Sequence, residues 1–486
     1  MGKNKMGSLL ATLLVFFTMA FGMTGKASAD DNSLQKIKEA GVLKVATSPD
    51  YPPFESQTTI NGQSQDVGLD IEVAKQIAKD LGVKLKIMNM DFGSVLVAIQ
   101  TGKADMAIAG LTPTDERRQS VDFSKVYYTG GQTFLINKKD VKKFKTAKNL
   151  HGQKIATQTG SLQNSLAKKY FDDSTLSSMD KTPDLIFSLE NQKVDAVGIE
   201  KPVAQAYVAH NKNLAMIDAG YPNDAAESGK AIAVSKGSTA LVNAMNQSID
   251  KIEQHHWTNK YLKEAGKYVD DNAADTSMMR YWHYFYNGFL NTTLIAVIAV
   301  VFGILLGVLL VLMKLSAWKL LAWPATAYIE IVRGTPMMVQ VLLVYFGLGA
   351  LINMPALVAG IIAVALNSGA YVAEIIRGGI NSLDKGQKEA AQSLGFSKVD
   401  TMRFVILPQA FKNIWPSLGN EFVSVIKESS IVSIIGVTDL IYQLNVVRAD
   451  TYRGVAPIVV VMVIYFLMTF SLTRLLNHFE RKMNHE

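Results

Sequence analysis

The chain's 486 residues correspond to two or three domains at about 150 residues each, and its 49% hydrophobic and 19% charged residues, against roughly 25% charged in ordinary soluble proteins, exclude disorder as the main state and argue against an entirely soluble protein. With no cysteine, and seven histidines that show no metal-ligand spacing, disulfide scaffolds, iron–sulfur clusters and thiolate zinc sites are excluded. The net charge of +7 leaves residues 30–279 neutral, with thirty basic and thirty-one acidic side chains, and gathers in residues 1–29 and 280–486; that distribution excludes a nucleic-acid patch and suits a membrane protein.

In chain order, Lys3 and Lys5 flank an apolar run over residues 8–23, and Ala27-Ser28-Ala29 supplies small residues for cleavage. Residues 1–29 therefore read as an export signal. Cleaved or retained as an anchor, it sends the domain after it to the outer side. Residues 30–269 then alternate strand and helix patterns, the mark of an α/β sheet fold. Val42 to Ala46 is a strand ending at a Ser48-Pro49-Asp50 turn. Asp70 is placed to cap a helix whose Ile71, Ala74, Ile77, Ala78 and Leu81 share one face, stopped by Gly82. Val83 to Met88, a helix over Val95 to Gln100 and a strand from Asp105 to Ala109 complete a first unit. A second unit holds a strand at Lys154 to Thr157, a polar helix from Ser161 to Tyr170 and a strand from Asp195 to Ile199. Thr133 to Asn137 and Ala231 to Ser235 read as paired hinge strands where the chain crosses between two lobes and returns.

A polar linker is predicted over 270–279, with five apolar spans after it near 287–313, 324–350, 355–377, 421–441 and 456–475, each about 20 residues or more, enough for a hydrocarbon core of roughly 30 Å. The fourth is interrupted by Lys427 and Glu428. If the first unit lies outside, the inner segments hold nearly all the Lys and Arg, and the outer loops between spans hold only Arg448 and Arg453; the C-terminus is then cytoplasmic. Glu330, Arg333, Asn367, Glu374 and Glu421 lie in or at the ends of spans, where ionisable groups pair, face the bundle or line a path.

Two motifs carry a resemblance. Glu389-Ala390-Ala391, Gly395 and Ile406-Leu407-Pro408-Gln409 read as a helix, a glycine break and a second short helix ended by proline. This stretch resembles the EAA loop of ABC importer permeases, and Arg333-Gly334-Thr335-Pro336 and Lys427-Glu428-Ser429-Ser430 resemble the amino-acid subfamily, over essentially all of 280–486. Ala109-Gly110-Leu111-Thr112-Pro113-Thr114-Asp115-Glu116-Arg117 and Val121-Asp122-Phe123-Ser124 resemble the signature of extracellular binding proteins for polar amino acids, which residues 40–265 fit throughout. The resemblance implies a two-lobed, type II clamshell fused to an all-α permease domain (280–486) of about five helices.

A free amino acid needs a cation and backbone N–H groups for its carboxylate. By resemblance Arg117 is the carboxylate-binding residue, with Gly110 and Thr112 on the same loop. Thr159-Gly160 precedes a predicted helix whose N-terminus favours an anion. Glu200 ends a strand where relatives place the carboxylate for the ligand's ammonium, commonly Asp. Tyr51 and Phe92 match the aromatic positions around the ligand's aliphatic part, and Ser48 stands where some relatives have an Asp that reads the side chain, with Asp50 close by. Glutamine or asparagine is the first expectation for the ligand, a basic amino acid the second, and an opine or sulfur amino acid a further alternative.

The chain has no G-x-x-x-x-G-K-[ST] loop and so cannot cradle ATP phosphates itself. The resemblance implies a separate cytoplasmic ABC ATPase dimer coupled through Glu389, Ala390, Ala391, Gly395, Leu407 and Pro408. It also implies a second copy of the chain, because five spans make half of a two-fold pathway. No cofactor and no metal are expected on the chain, whose remaining partner is membrane lipid. A ligand-gated channel would place its pore between the lobes, a dehydratase would have no use for the permease, and a receptor would need a cytoplasmic signalling domain. A transporter subunit is therefore favoured over all three.

Overall fold

The apolar run Val42–Thr47 forms a strand whose Leu43 and Val45 are wholly buried. In the computed structural model, which describes residues 31–60, 63–221, 229–273, 277–349, 352 and 354–485, it lies within a five-stranded sheet of spatial order Lys84–Asn89, Val42–Thr47, Met106–Ala107, Gly229–Ser235 and Val121–Thr129. The first three strands are parallel, and Gly229–Ser235 runs antiparallel to both of its neighbours. This sheet is the core of lobe one. The helix Leu69–Leu81 buries Ile71, Val73, Ala74, Ile77 and Ala78 against it and ends at Gly82 with φ +71, a left-handed stop that glycine adopts at little cost.

Lobe two is a second five-stranded sheet, ordered Thr175–Met179, Lys154–Gln158, Ala196–Glu200, Gln132–Asn137 and Leu214–Asp218. The expected hinge strands are not paired with each other. Gln132–Asn137 belongs to lobe two and Gly229–Ser235 to lobe one, where it pairs with Val121–Thr129. The chain therefore crosses between sheets at Gly130-Gly131, directly after one strand and before the next. A small hairpin sheet, Asp50–Tyr51, Glu55–Ile60 and Gln63–Val67, projects from lobe one. Asp70 is not a cap. The cap position is Gly68, and Asp70 is fully buried, accepting from the Gly110 N–H at 2.8 Å and the Tyr127 hydroxyl at 2.7 Å.

The expected export signal (1–29) lies outside the described residues, as do 274–276 of the expected linker. The first part of that linker is helical, since Trp257–Ala273 is one continuous helix. Among the described residues, Met278–Leu315, Ala356–Asn381 and Val455–Met483 are long and apolar enough to cross a membrane, and counting each of two bent helix pairs as one span gives up to five. The second expected span breaks by 112° at Gly334-Thr335-Pro336, between Lys319–Arg333 and Met337–Leu348. Proline removes a donor there and disfavours helix in the residue before it. The fourth runs over Lys398–Ile435 and turns by 55° into the helix Leu440–Thr451.

Small residues bring the first and third spans together. A Cβ on Gly303 would lie 3.0 Å from the Ser368 Cβ, and one on Gly307 would lie 2.6 Å from the Val372 side chain, the close backbone approach by which helices associate in lipid. Between these helices Glu374 takes Lys314 at 2.6 Å, Arg377 at 2.8 Å and Arg333 at 3.3 Å. Asn367 donates to Gln340 at 3.0 Å and Ser368 to Glu421 at 3.1 Å. Arg333, Asn367, Glu374 and Glu421 are thus paired within the bundle, whereas Glu330 is exposed.

Candidate functional site: a cleft between two lobes

The site is built where strands of both sheets end. From lobe one come the turn after Val42–Thr47, bearing Ser48, Asp50 and Tyr51, then Glu55 of the hairpin, Phe92, the loop Gly110 to Thr112, Arg117, and Lys230 at the start of its strand. From lobe two come Gln158, Ser161, Gln163 and Glu200. Gly110 has φ +54, and the Asp70 carboxylate fixes its loop through the Gly110 N–H.

Arg117 reaches across the cleft. One Nη donates to the Thr112 carbonyl at 2.8 Å in its own lobe, and the other to the Gly160 carbonyl of lobe two at 2.9 Å. Its guanidinium lies 5.7 Å from the centre of the Phe92 ring, a cation–π distance. Glu200, 2% exposed, accepts from Gln163 Nε2 at 3.1 Å through Oε1, and the same oxygen is paired with the Lys230 ammonium. Its Oε2 is buried with no hydrogen-bond partner among the described residues. The Tyr51 hydroxyl meets the Glu200 backbone, and Ser48 donates to Asp50 at 2.9 Å. Gly110, Thr112, Arg117, Glu200, Tyr51, Phe92 and Ser48 therefore converge on one cleft. Thr159 does not: it is exposed and lines a neighbouring cavity of about 420 Å³ between the two lobes and the membrane helices. Gly160 enters the cleft only through its carbonyl, and the helix N-terminus there is capped by Ser161, whose hydroxyl accepts from the Asn164 N–H at 3.1 Å.

Lys230, Glu55 and Asp70 join the site without being among the cleft residues expected from the sequence. The signal for Lys230 is its place in the alternation of Gly229–Ser235, where it shares a face with Ile232 and Val234; a lysine on a buried apolar face needs a counter-charge. Glu55 and Asp70 form a hydrogen-bonded carboxyl pair. Burial raises both above the usual carboxylate range, and the neighbouring Asp70 charge raises Glu55 further. At the mouth of the cleft Lys181 of lobe two pairs with Asp91 of lobe one.

The clamshell is seated on the membrane helices. The Asp91 N–H donates to the Ile434 carbonyl at 3.3 Å, Tyr442 donates to Gln57 of lobe one at 3.1 Å, and Arg448 donates to Asp184 of lobe two at 2.6 Å. Gly436, with φ +79, comes so close that a Cβ there would collide with the Asn89 carbonyl oxygen. The helix Leu440–Thr451 thus touches both lobes.

Residues 43–266 match the family of bacterial extracellular solute-binding proteins, family 3, and residues 299–485 match the binding-protein-dependent transport system inner membrane component. The arginine transport system permease protein ArtQ of Bacillus subtilis is 40% identical over 198 residues, which cover 40% of this chain and 90% of that protein. The chain belongs to the binding-protein-dependent transport family. It is a fused solute-binding and permease subunit of an amino-acid ABC importer. The glutamine transport system permease protein GlnP of Escherichia coli is 39% identical over 162 residues, covering 33% of this chain and 74% of that one. A crystallised amino-acid ABC transporter substrate-binding protein from Streptococcus pneumoniae, bound to L-arginine, is 38% identical with a TM-score of 0.46, covering 48% of this chain and 98% of that one.

The importer subunit presents its loop between the third and fourth spans as the helix Lys385–Ser393, a turn at Gly395 with φ +89, and a second helix. That second helix does not end at Pro408. It runs on from Lys398 to Ile435, with a π-helical stretch over Thr401–Ile406 just before Leu407-Pro408. The wider turn accommodates a residue that lacks the N–H for an i−4 bond. Glu389, Ala390, Gly395, Leu407 and Pro408 are exposed, and Ala391 is buried where the two helices meet.

Proposed function

We propose that the clamshell captures one polar amino acid outside the cell, Arg117 taking its carboxylate and Glu200 its ammonium, and hands it to the membrane helices of a dimeric importer. The observation that carries this reading is the placement of Arg117 on one lobe and the unpartnered Glu200 Oε2 on the other, across one buried cleft. Two of the five guanidinium N–H groups are engaged by carbonyls, leaving three for a carboxylate. Tyr51 and Phe92 supply apolar walls for the ligand's stem.

Glutamine or asparagine is the preferred ligand, because a carboxamide offers donors to Glu55 and Asp50 without adding charge to the cleft. A basic amino acid is the second reading, favoured by the buried and unpartnered Asp50 Oδ2 and Glu55 Oε2 and by a relative that is an arginine transport permease. ATP is used by a separate cytoplasmic ATPase dimer, docked on the loop where Leu394, Phe396, Val399 and Phe404 are exposed. The chain itself holds no cofactor, a second copy completes the pathway, and the basic inner loops put the C-terminus in the cytoplasm. Fusion keeps the clamshell near the permease at an effective concentration on the order of millimolar.

Calorimetric titration of the purified full-length chain with each of the twenty amino acids tests the reading. Micromolar or tighter binding of glutamine or asparagine is expected. Silence across the panel from a folded protein would remove the amino-acid assignment.

A further inference from the structure

Lys230 occupies the place that the proposed function gives to the ligand's ammonium. Its Nζ is paired with Glu200 and lies 3.2 Å from the Thr112 hydroxyl, and Lys230 and Glu200 are each 2% exposed. Lys230 starts a strand of lobe one and Glu200 ends a strand of lobe two, so the pair joins the lobes as a bound zwitterion would. With the lysine in this rotamer about 10 Å³ of the cleft remains open, room for about one water molecule. An amino acid and this rotamer exclude each other.

We propose that Lys230 is a tethered stand-in for the substrate's ammonium, and that substrate must displace it from Glu200 to bind. The proposal rests on the amino-acid reading of the cleft. Two further observations separate it from an ordinary buried ion pair. A structural pair is stable when both carboxylate oxygens are satisfied, yet Glu200 Oε2 has no partner among the described residues. The lysine also has a second place to go. Glu55, on the same cleft wall, has a buried Oε2 without a partner among the described residues, and the lysine's charge acts on both Glu55 and Asp70. Displaced from Glu200, Lys230 turns to the Glu55–Asp70 pair and stays neutralised. Only a ligand that brings its own cation to Glu200 can drive that exchange, so the device selects for an α-ammonium group. It also weakens affinity by the fraction of clamshells in which Lys230 holds the subsite.

The test is calorimetric titration of the full chain in lipid nanodiscs with glutamine and with arginine, for the unsubstituted protein, Lys230→Met and Lys230→Arg. Lys230→Met is expected to bind its amino acid at least about tenfold tighter, and Lys230→Arg to stay near the unsubstituted value. Equal or weaker binding by a folded Lys230→Met protein would overturn the proposal and make the lysine a ligand contact or a strut. Lys230→Gln replaces it if the methionine variant does not fold. An independent readout is the distance between the lobes. The chain has no cysteine of its own, so dyes on Lys79→Cys and Lys168→Cys report it by energy transfer. Without amino acid, loss of Lys230 should lengthen that distance, and an unchanged distance counts against the proposal. If neither the unsubstituted chain nor any variant binds any of the twenty amino acids, the underlying ligand reading falls, and this one with it.

Discussion

Arg448 and Asp184 are joined at 2.6 Å across the junction between the permease and lobe two, with the Arg448 side chain only 4% exposed. Six residues earlier on the same helix, Tyr442 reaches Gln57 of lobe one. A single helix therefore contacts both lobes. A change in the angle between the lobes, such as a ligand-driven hinge closure, has to shift at least one of these two contacts.

Removing either end of this contact should uncouple capture from transport. Arg448→Ala is expected to lower amino-acid uptake in proteoliposomes by about tenfold or more, since truncating a buried, hydrogen-bonded charge pair costs about 2–5 kcal/mol and Asp184, 43% exposed, brings the loss to the low end of that range. Ligand binding measured by calorimetry should be unchanged. Loss of binding in this variant would show that the contact supports the clamshell fold instead.

Arg117→Ala should abolish amino-acid binding at ligand concentrations that saturate the unsubstituted chain, and Arg117→Lys should restore little. A lysine lacks the planar fork that serves a carboxylate and two carbonyls together. The guanidinium here bonds the Thr112 and Gly160 carbonyls from opposite lobes, so the loss combines ligand contact and closure. Near-normal affinity in Arg117→Ala would sink the site assignment.

Gly395 sits at φ +89 with open space around a Cβ, so substitution there acts through backbone strain alone, about 1–2 kcal/mol for a non-glycine residue. Gly395→Leu should tilt the two loop helices, lower transport and the ATP hydrolysis stimulated by substrate, and leave ligand binding intact. Uptake at the unsubstituted rate would show that the loop angle does not matter for coupling.

The buried Glu55–Asp70 pair predicts a pH dependence of stability. Burial lifts Asp70 to about 6, and Glu55 lies well above its ordinary value, so the folded state binds more protons than the unfolded one. Stability from this pair is complete below the unfolded carboxylate value of roughly 4 and is lost as pH rises through about 6 and beyond. Asp70→Asn keeps one acceptor, for the Gly110 N–H, turns its amide N–H toward the Tyr127 oxygen, which can accept, and removes the shared charge. Its melting temperature should therefore fall less between pH 5 and pH 8 than that of the unsubstituted chain, and parallel slopes would refute the pairing.

Much of this is legible along the chain, because it depends on neighbours a few residues apart. The helix from Leu69 to Gly82 comes from a 3.6-residue apolar period and a glycine stop. The spans come from uninterrupted apolar length, but the break at Gly334-Thr335-Pro336 is not among the expectations, because 324–350 reads as one apolar span. The loop Gly110 to Arg117 is one local turn, so its residues arrive at the cleft together. Asp70 misleads for the same reason. As a helix-start acid it looks like a cap, and only the approach of Gly110 and Tyr127, 40 and 57 residues away, makes it a buried acceptor.

What the amino-acid order determined by itself was the pair of domains, the alternation within the clamshell, the apolar spans and the cleft residues on short turns, because period, caps and hydrophobic length act locally. Tertiary structure alone decided that Lys230 meets Glu200, that Gln132–Asn137 and Gly229–Ser235 belong to different sheets, that Thr159 faces away from the cleft, and that Leu440–Thr451 is seated on both lobes. Those outcomes depend on charges and surfaces brought together from 30 to almost 400 residues apart, where packing and burial, not local propensity, set which groups meet.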